Sequence, residues 1–490
     1  MSSSPSPDDT TEIYAPKKWK AGTLTYTTGG IVVLFCWLLL GDFSWSMRDR
    51  SVAPMSQWYL NHLMVPSLVF ALLVSSLPGI IQLVVSPLIS TMSDRHRGRL
   101  GRRIPFLLIV TPVAALGMVG LGCTPFIARW VHRLCNSEAT GAWLHRTLDG
   151  FPFGAWLLSM LANEVVVSVA CFAVFWTAFE VAAIASKPIF DGLINDVVPR
   201  PLLGRFYGLF RAISLIDGMV FNFWIIGYVP THFTVIIIAV GLFYGIAFMC
   251  VCFRVKEGQY PPPEKIVSRT GTLGFVSEVR HYCRECFSHP YYLAVFLLIT
   301  TSVICFNPMN VFAIPYANHV GVSMDTYGKA VSLTFLISLL MAYPLGWLAD
   351  RFHPMRLVIV VLSGYALVTI WGSLFAVSAH TYLIGWVLHG VFSGAYYTSA
   401  ASLALRLFPH EKFAQYASAA AIFVAVGNMA MAPVVGMVID ATGHNYRYAF
   451  IVGFSLTLVA LVNAIIVYAA FKRYGGPNNY AAPDFEASKK

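Results

Sequence analysis

The chain has 490 residues, 57% of them hydrophobic and 11% charged, with a formal net charge of +10 and a mean hydropathy of +0.67. About a quarter of the residues of a soluble protein are charged, so this composition excludes an ordinary soluble enzyme and points to a chain that crosses a membrane many times. The positive charge does not call for a nucleic-acid partner, because the basic residues sit in short segments between apolar runs and not along one amphipathic face.

Segment 1–26 is polar and lacks the short apolar core and small-residue cleavage site of a secretory signal, so it is expected to be a cytoplasmic tail. A crossing helix takes about 20 mainly apolar residues. Such runs begin near residues 27, 66, 104, 155, 206 and 233, which predicts an N-terminal six-helix bundle over 27–254. Segment 255–290 is Pro-rich at its start and amphipathic afterwards, as a cytoplasmic linker would be. Six further runs begin near 291, 327, 355, 380, 413 and 447, giving a C-terminal six-helix bundle over 291–472 and a cytoplasmic tail over 473–490. The expected fold is an all-α membrane protein with twelve transmembrane helices in two six-helix bundles. Most of the 33 Lys and Arg fall in the loops 94–103, 187–211, 254–290, 351–356 and 406–412 and in the two tails. The excess of positive charge on cytoplasmic loops then puts both termini in the cytoplasm, in a multi-pass plasma membrane of the bacterial inner-membrane type, with a monomer expected.

Between the third and fourth spans, residues 128–154 are expected to form an outer loop with a short surface helix. Cys123 and Cys135 flank it and can pair only if that side is oxidising. Most other cysteines lie in apolar runs, where packing is their expected role. Cys283 and Cys286, with His281 and His289 nearby, are a single CxxC, a weak zinc signal, and are expected to stay a reduced pair with no metal bound.

An internal repeat supports the two halves. "SPLISTMSDRHRGRLGRR" after the second span is echoed by "YPLGWLADRFHPMR" after the eighth, so that Asp94 and Asp350 occupy equivalent places. Likewise "VVPRPLLGRFYG" after the fourth span is echoed by "LFPHEKFAQYAS" after the tenth. Parallel halves with such loops point to a transporter with its site between the repeats.

Ionisable residues inside spans are costly unless protonated, paired or facing water, and are functional candidates by default. Glu180 stands in the middle of the apolar run of the fourth span and is the first candidate for proton coupling; Glu164, nearer the outer end of the same span, is the second. Arg211 lies about two turns into the fifth span, where it is placed to reach the level of Glu180, with Asp217 expected to neutralise it. In the seventh span Asn307, Pro308, Asn310 and Pro315 interrupt the helix, and the tenth carries His389, Tyr396 and Tyr397. Amides both donate to and accept from sugar hydroxyls, so Asn307, Asn310 and His389 are candidates for substrate contact. No phosphate-binding loop and no hydrolase or metalloprotease motif is present, so neither a cofactor nor an enzymatic activity is expected.

These residues resemble the major facilitator superfamily, whose loop between helices 2 and 3 carries Gly-x-x-x-Asp-Arg-x-Gly-Arg-Arg. Gly346 to Arg351, ending in Asp350 and Arg351, is similar to the ordinary form; Ser93-Asp94-Arg95 followed by Arg99-Leu100-Gly101-Arg102-Arg103-Ile104-Pro105-Phe106 is longer. That longer form resembles the glycoside-pentoside-hexuronide cation symporters and, more closely, the sucrose/proton symporters. The resemblance implies a gate at Asp94, Arg95, Arg102, Arg103, Asp350 and Arg351, with carboxylates pairing to arginines of the facing half. It also implies that "DFSWSMRDRSVAP" belongs to helix 1, because sucrose symporters have a Trp nine residues before a Pro there, matched by Trp45 and Pro54. At 1.5 Å per residue from residue 26 or 27, Asp42 is then about 22 Å along the helix and Arg48, Asp49 and Arg50 lie beyond about 30 Å, in its outer third or at its mouth. The family has neutral residues where this chain has that charged cluster. Sucrose symporters also place an acid sixteen residues before the Asp that ends helix 4, as Glu180 precedes Asp196, but have an Arg where this chain has Asp191. The helix 2 acids of melibiose-type sodium symporters are matched here by Gln82 and Ser86, which favours a proton over sodium.

The expected function is import of a glycoside or disaccharide with a proton by alternating access, the sugar touching Asp42, Trp45, Arg48, Asp49, Arg50, Gln82, Arg211, Asn307, Asn310 and His389. The partners are the sugar, the proton and the lipid bilayer. The alternatives are an anionic sugar such as a hexuronide, held by Arg48 or Arg50, and a sugar sensor that does not transport.

Overall fold

The computed structural model describes residues 18–148, 150–260, 280, 284, 286–409 and 413–483. His281 and Cys283 lie outside the described residues, as does the side chain of Asp350. Among the described residues the chain makes twelve helical passes, joined to a two-stranded hairpin (Trp19–Ala21 with Leu24–Tyr26) ahead of the first. Ten stretches are long and apolar enough to cross a membrane. One of them, Arg200–Arg254, holds two passes, Arg200–Val220 and Val229–Arg254, separated by a π turn and a 3-10 turn. The remaining pass is Ala379–Ala400, whose serines, tyrosines and His389 make it less apolar. The architecture is therefore all-helical and membrane-spanning, with six passes before the linker and six after it.

Span 1, Thr28–His62, is one unbroken helix of 35 residues. Thr27 caps it, its Oγ1 accepting the Gly30 N–H, and Pro54 is tolerated inside. At about 1.5 Å per residue this helix is far longer than a bilayer core, and Arg48, its twenty-first residue, stands about 30 Å along it, past its middle and short of its mouth. Span 2 (Ser67–Arg95) is helical throughout apart from a π turn over Leu72–Ser76. Span 3, Ile104–Cys135, runs on through the first part of the expected outer loop. Cys123 and Cys135 thus lie on one helix, three turns apart, and are free thiols; they cannot pair with each other. The expected surface helix is Glu138–Leu148.

Span 4 begins later than expected. The apolar run from 155 forms a separate short helix, Gly154–Ala162, and the chain breaks at Asn163, whose Oδ1 accepts the N–H groups of Val165 and Val166 and starts a new helix, Glu164–Val197. Glu164 is consequently an exposed residue in a first turn, where a negative charge suits the positive end of the helix dipole. It is not inside the apolar part of a span.

Span 7 is broken where the sequence requires it. Pro290–Ile304 stops, Cys305 and Phe306 turn, and Asn307–His319 resumes with Pro308 in its first turn, where a missing N–H costs nothing. Spans 8, 9, 11 and 12 are Met324–Phe352, Pro354–Phe375, Phe413–Ala441 and Tyr448–Arg473.

Both described chain ends lie on one face, here the terminal face. The halves touch mainly toward the opposite, far face. Ser75 and Ser76 of span 2 donate to the carbonyls of Asn428 and Met429 in span 11 (3.2 and 2.7 Å), and Ser332 of span 8 donates to the Met219 carbonyl in span 5 (3.1 Å). Gly328 lets spans 5 and 8 approach closely, since a Cβ there would run into the Asn222 carbonyl oxygen.

Candidate functional site

Where the halves diverge, three cavities lie side by side. One of 470 Å³ is walled by spans 1, 2 and 4, including Trp45, Arg48, Asp49, Gln82, Glu180 and Lys187. A second, of 430 Å³, is walled by spans 1, 4 and 5, including Asp42, Arg50 and Arg211, and shares Trp45, Asp49, Lys187 and Asp191 with the first. The third, of 420 Å³, shares Arg50 and Arg211 with the second and is closed by Asn310, Phe335, His389 and Tyr397 of the other half. The shared walls make them one chamber between the bundles.

The expected contacts of span 1 all face it. Arg48 is 2% exposed; its Nη1 donates to Ser186 Oγ (3.3 Å), and its guanidinium lies over the rings of Trp45 (4.9 Å), Tyr244 (5.0 Å) and Phe179 (5.8 Å). That aromatic cage holds the cation by ring quadrupoles instead of by an ion pair, and Arg48 Nε is left without a partner. Lys187 covers the Trp45 ring at 4.7 Å while pairing with Asp191 (3.1 Å). Both lie inside span 4 and line the chamber. Asp42 is buried, with one carboxylate oxygen unpartnered. Asp49 and Gln82 are exposed to the cavity.

Glu180 is half-buried and makes no hydrogen bond or ion pair among the described residues. The charged groups that act on it are Arg48 and Asp49. Arg211, expected at its level, lines the other two cavities instead and stands beside Arg50. Arg50 donates weakly to Ser214 Oγ (3.5 Å) and packs over Phe335 of span 8 (5.0 Å). Asp217 does not neutralise Arg211: both of its carboxylate oxygens are buried without a partner, and Arg50 is the cation that acts on it.

Across the chamber the second half offers polar groups without charge. His389, 1% exposed, stacks on Trp386 (5.2 Å between centroids, 14° between planes). Its Nδ1 meets the Tyr365 hydroxyl at 2.8 Å and its Nε2 meets Asn310 Oδ1 at 3.1 Å. If Tyr365 donates to Nδ1 and Nε2–H to Asn310, one neutral tautomer satisfies both bonds, and the Asn310 amide nitrogen is left to donate into the chamber. His389 therefore orients Asn310 while its own ring lines the same cavity. Asn307 is not among the chamber walls; its Oδ1 is buried and unpartnered.

The gate residues are arranged differently from the expectation. Arg102 pairs with Asp196 through two nitrogens (2.9 and 2.5 Å), and Arg103 pairs with Asp94 (2.5 Å) and reaches Asp196 (3.4 Å). Glu257, at the start of the linker, accepts the backbone N–H groups of Arg102, Arg103 and Ile104 (2.9, 2.8 and 2.7 Å), capping span 3. Gly101, at φ +100°, makes room for that carboxylate. All these partners belong to the first half or to the start of the linker that follows it, so among the described residues the network does not bridge the halves. Arg95 is exposed and makes no ion pair among the described residues. Arg351 is exposed and stacks on Trp347 and Phe352 (5.1 and 5.6 Å), while the Asp350 side chain lies outside the described residues.

Sequence reasoning missed Lys187, Glu257 and Asp440. Asp440 reaches across the far face, its two oxygens accepting the N–H groups of Ser67 and Leu68 (3.0 Å each) at the start of span 2. A charged residue directly before Pro188 inside an apolar run was the signal for Lys187. Glu257 and Asp440 find their partners more than 150 residues away and had no local signal.

Residues 292–487 match the family described as the Major Facilitator Superfamily. Among solved structures the chain is similar to a bacterial homolog of the human lysosomal transporter Spinster in an inward-facing and occupied conformation (12% identity, 92% of this chain and 98% of that one, TM-score 0.62). It is similar to a D-xylose-proton symporter (13% identity, 89% and 97%, TM-score 0.62) and to a nucleoside transporter (9% identity, 89% and 100%, TM-score 0.62). No curated protein matches the sequence. At such identities the likeness is one of fold, and the fold is that of the major facilitators.

Proposed function

We propose that this protein is a secondary transporter of the major facilitator superfamily that imports a sugar-sized polar solute with a proton. The observation that carries the reading is Glu180, a carboxyl without a partner that faces the central chamber near caged Arg48. A carboxyl placed inside a span, open to water on one side and unpaired, is suited to load and release a proton. The chamber's cavities, 420 to 470 Å³ each, fall in the range of small-molecule sites, and one of the similar folds is a D-xylose-proton symporter. Contact between the halves on the far face, with the chamber between them below it, is the arrangement alternating access requires. In this reading the terminal face is cytoplasmic and the protein acts as a monomer.

One observation favours a solute with an anionic group, such as a hexuronide, over a neutral disaccharide. Arg50 and Arg211 share two cavities, act on one another as like charges and have no ion-pair partner among the described residues. They face the donating amide of Asn310.

The test is the external pH of lightly buffered cells expressing the protein as sucrose, maltose, melibiose or a glucuronide is added. Transient alkalinisation with one of them, absent in Glu180→Gln, is the expected result. A signal that survives in the variant removes Glu180 from coupling. Labelled solute that binds without accumulating points to a sensor instead.

A further inference from the structure

Asp217 has no place in the scheme above. It is fully buried in span 5, and both carboxylate oxygens lack a hydrogen-bond partner. An uncompensated charge in such surroundings costs several kcal/mol, so the group needs a counter-charge or a proton. Its neighbours limit the choice. From span 1 come Arg50 and Asp42, the latter lining the chamber and acting on Asp217 as a like charge. Span 5 itself supplies Arg211, which lies beside Arg50 on the chamber side. Span 8, packed on the opposite side, presents Ser332 and Phe335 at this level, and its own Lys329 is engaged with Asp325 (2.6 Å) toward the far face. The Lys187–Asp191 pair lies on the chamber side, next to Asp42.

Among the described residues Arg50 is the one cation that acts on Asp217, and it does so without forming an ion pair. The same guanidinium lines two of the cavities and packs against the facing half. We propose that Asp217 is a second proton-binding site, and that Arg50 couples it to the substrate by neutralising either the Asp217 carboxylate or an anionic group in the chamber. When the substrate's anion engages Arg50, Asp217 loses its compensation and takes up a proton. By linkage, a protonated Asp217 frees Arg50 and tightens anion binding by the same factor. The inference rests on the anionic reading of the substrate for its coupling, though not for the existence of the site.

The test is infrared spectroscopy of the purified full-length protein in lipid nanodiscs, which reports protonated carboxyl groups directly. At neutral pH, Arg50→Gln should show a stronger protonated-carboxyl band than wild type, and the added intensity should vanish in Arg50→Gln/Asp217→Asn. No added band, or one that survives the second substitution, overturns the proposal. Should Arg50→Gln not fold, acid titration of wild type against Asp217→Asn replaces it. Wild type should then show one carboxyl band at the acid end that the variant lacks, and identical titrations overturn the site. Adding methyl glucuronide to wild type should bring up the Asp217 band at neutral pH. If the band appears in Arg50→Gln but glucuronide brings up none in wild type, the site stands and the carboxylate-substrate reading fails.

Discussion

The two halves share a fold and a repeated loop, yet they divide the chemistry unequally. In the chamber the first half contributes Asp42, Arg48, Asp49, Arg50, Glu180, Lys187, Asp191 and Arg211, while the second contributes Asn310, Thr334, Ser338, His389, Ser393 and Tyr397. The loops repeat the contrast. The first copy is pinned by Asp94, Asp196 and Glu257, whereas in the second Arg351 stacks on aromatic rings and Arg356 donates to the Tyr468 hydroxyl (2.7 Å). Charge sets proton and ion equilibria, and neutral donors and acceptors set shape and orientation. On the proposed function, the first half couples and the second recognises.

The most severe way to break this division is to put a charge where the neutral half has none. Asn310→Asp places a carboxylate opposite Arg50 and Arg211, two cations without an ion-pair partner among the described residues. Close charge pairs at interfaces are coupled by about 1.5–7 kcal/mol, so the new pair is expected to hold the chamber shut. Solute-driven alkalinisation should fall at least roughly tenfold, the lower end of that range. Asn310→Gln should lose less, because the amide donor is kept. Equal losses in the two would mean that position 310 acts by shape and that the division into charged and neutral halves does not govern function.

The loop copies allow a milder comparison. Asp196→Asn removes the negative charge and one of the two accepting oxygens shared by the Arg102 and Arg103 guanidinium groups, and hydrogen bonds to charged groups contribute about 1.5–3 kcal/mol. Arg351→Ala removes an exposed side chain, and such substitutions stay within about 0.5 kcal/mol. Thermal unfolding of the two variants in the same detergent should therefore separate clearly, with Asp196→Asn the lower. If they coincide, the first-half network contributes little and the asymmetry of the loops is one of appearance.

What the sequence disclosed follows from the reach of its signals. Most helix starts were legible because apolar periodicity and caps are local: Thr28, Ser67, Ile104, Pro290, Pro354, Ala379 and Tyr448 fall within a residue or two of the expected starts. The start of span 4 was misjudged because the apolar run 155–162 hides a break, although Asn163 followed by Glu164 is itself a helix-start pattern. Glu180, Arg48 and Arg50 were legible because a charge in an apolar run stands out. Their partners were not. Whether Arg211 meets Glu180 or Arg50 depends on how spans 1, 4 and 5 rotate about their axes, and the resemblance that suggested a gate across the halves gave no hint that Glu257 keeps it within one.

The smallest effect expected lies at the same place in the two copies, the helix start just after each loop. Span 3 is capped by the Glu257 carboxylate, which accepts three N–H groups. Span 9 is capped by a neutral imidazole: His353 Nδ1 accepts the Met355 N–H (3.3 Å), with the backbone at φ 74°. Burial, with Arg406 and Arg356 nearby, pushes the His353 imidazole down to about 4. Since the unfolded chain binds this proton near pH 6.5, stability from His353 is complete above that value and declines as pH falls from about 6.5 toward about 4, the range in which the unfolded chain holds more protons. Asn at this position tolerates the positive φ and keeps a capping oxygen that does not titrate. In His353→Asn the decline in melting temperature over that range should be shallower than in wild type, with little change at pH 8. An unchanged slope would mean that acid loosens the protein elsewhere and that the second copy is capped as firmly as the first.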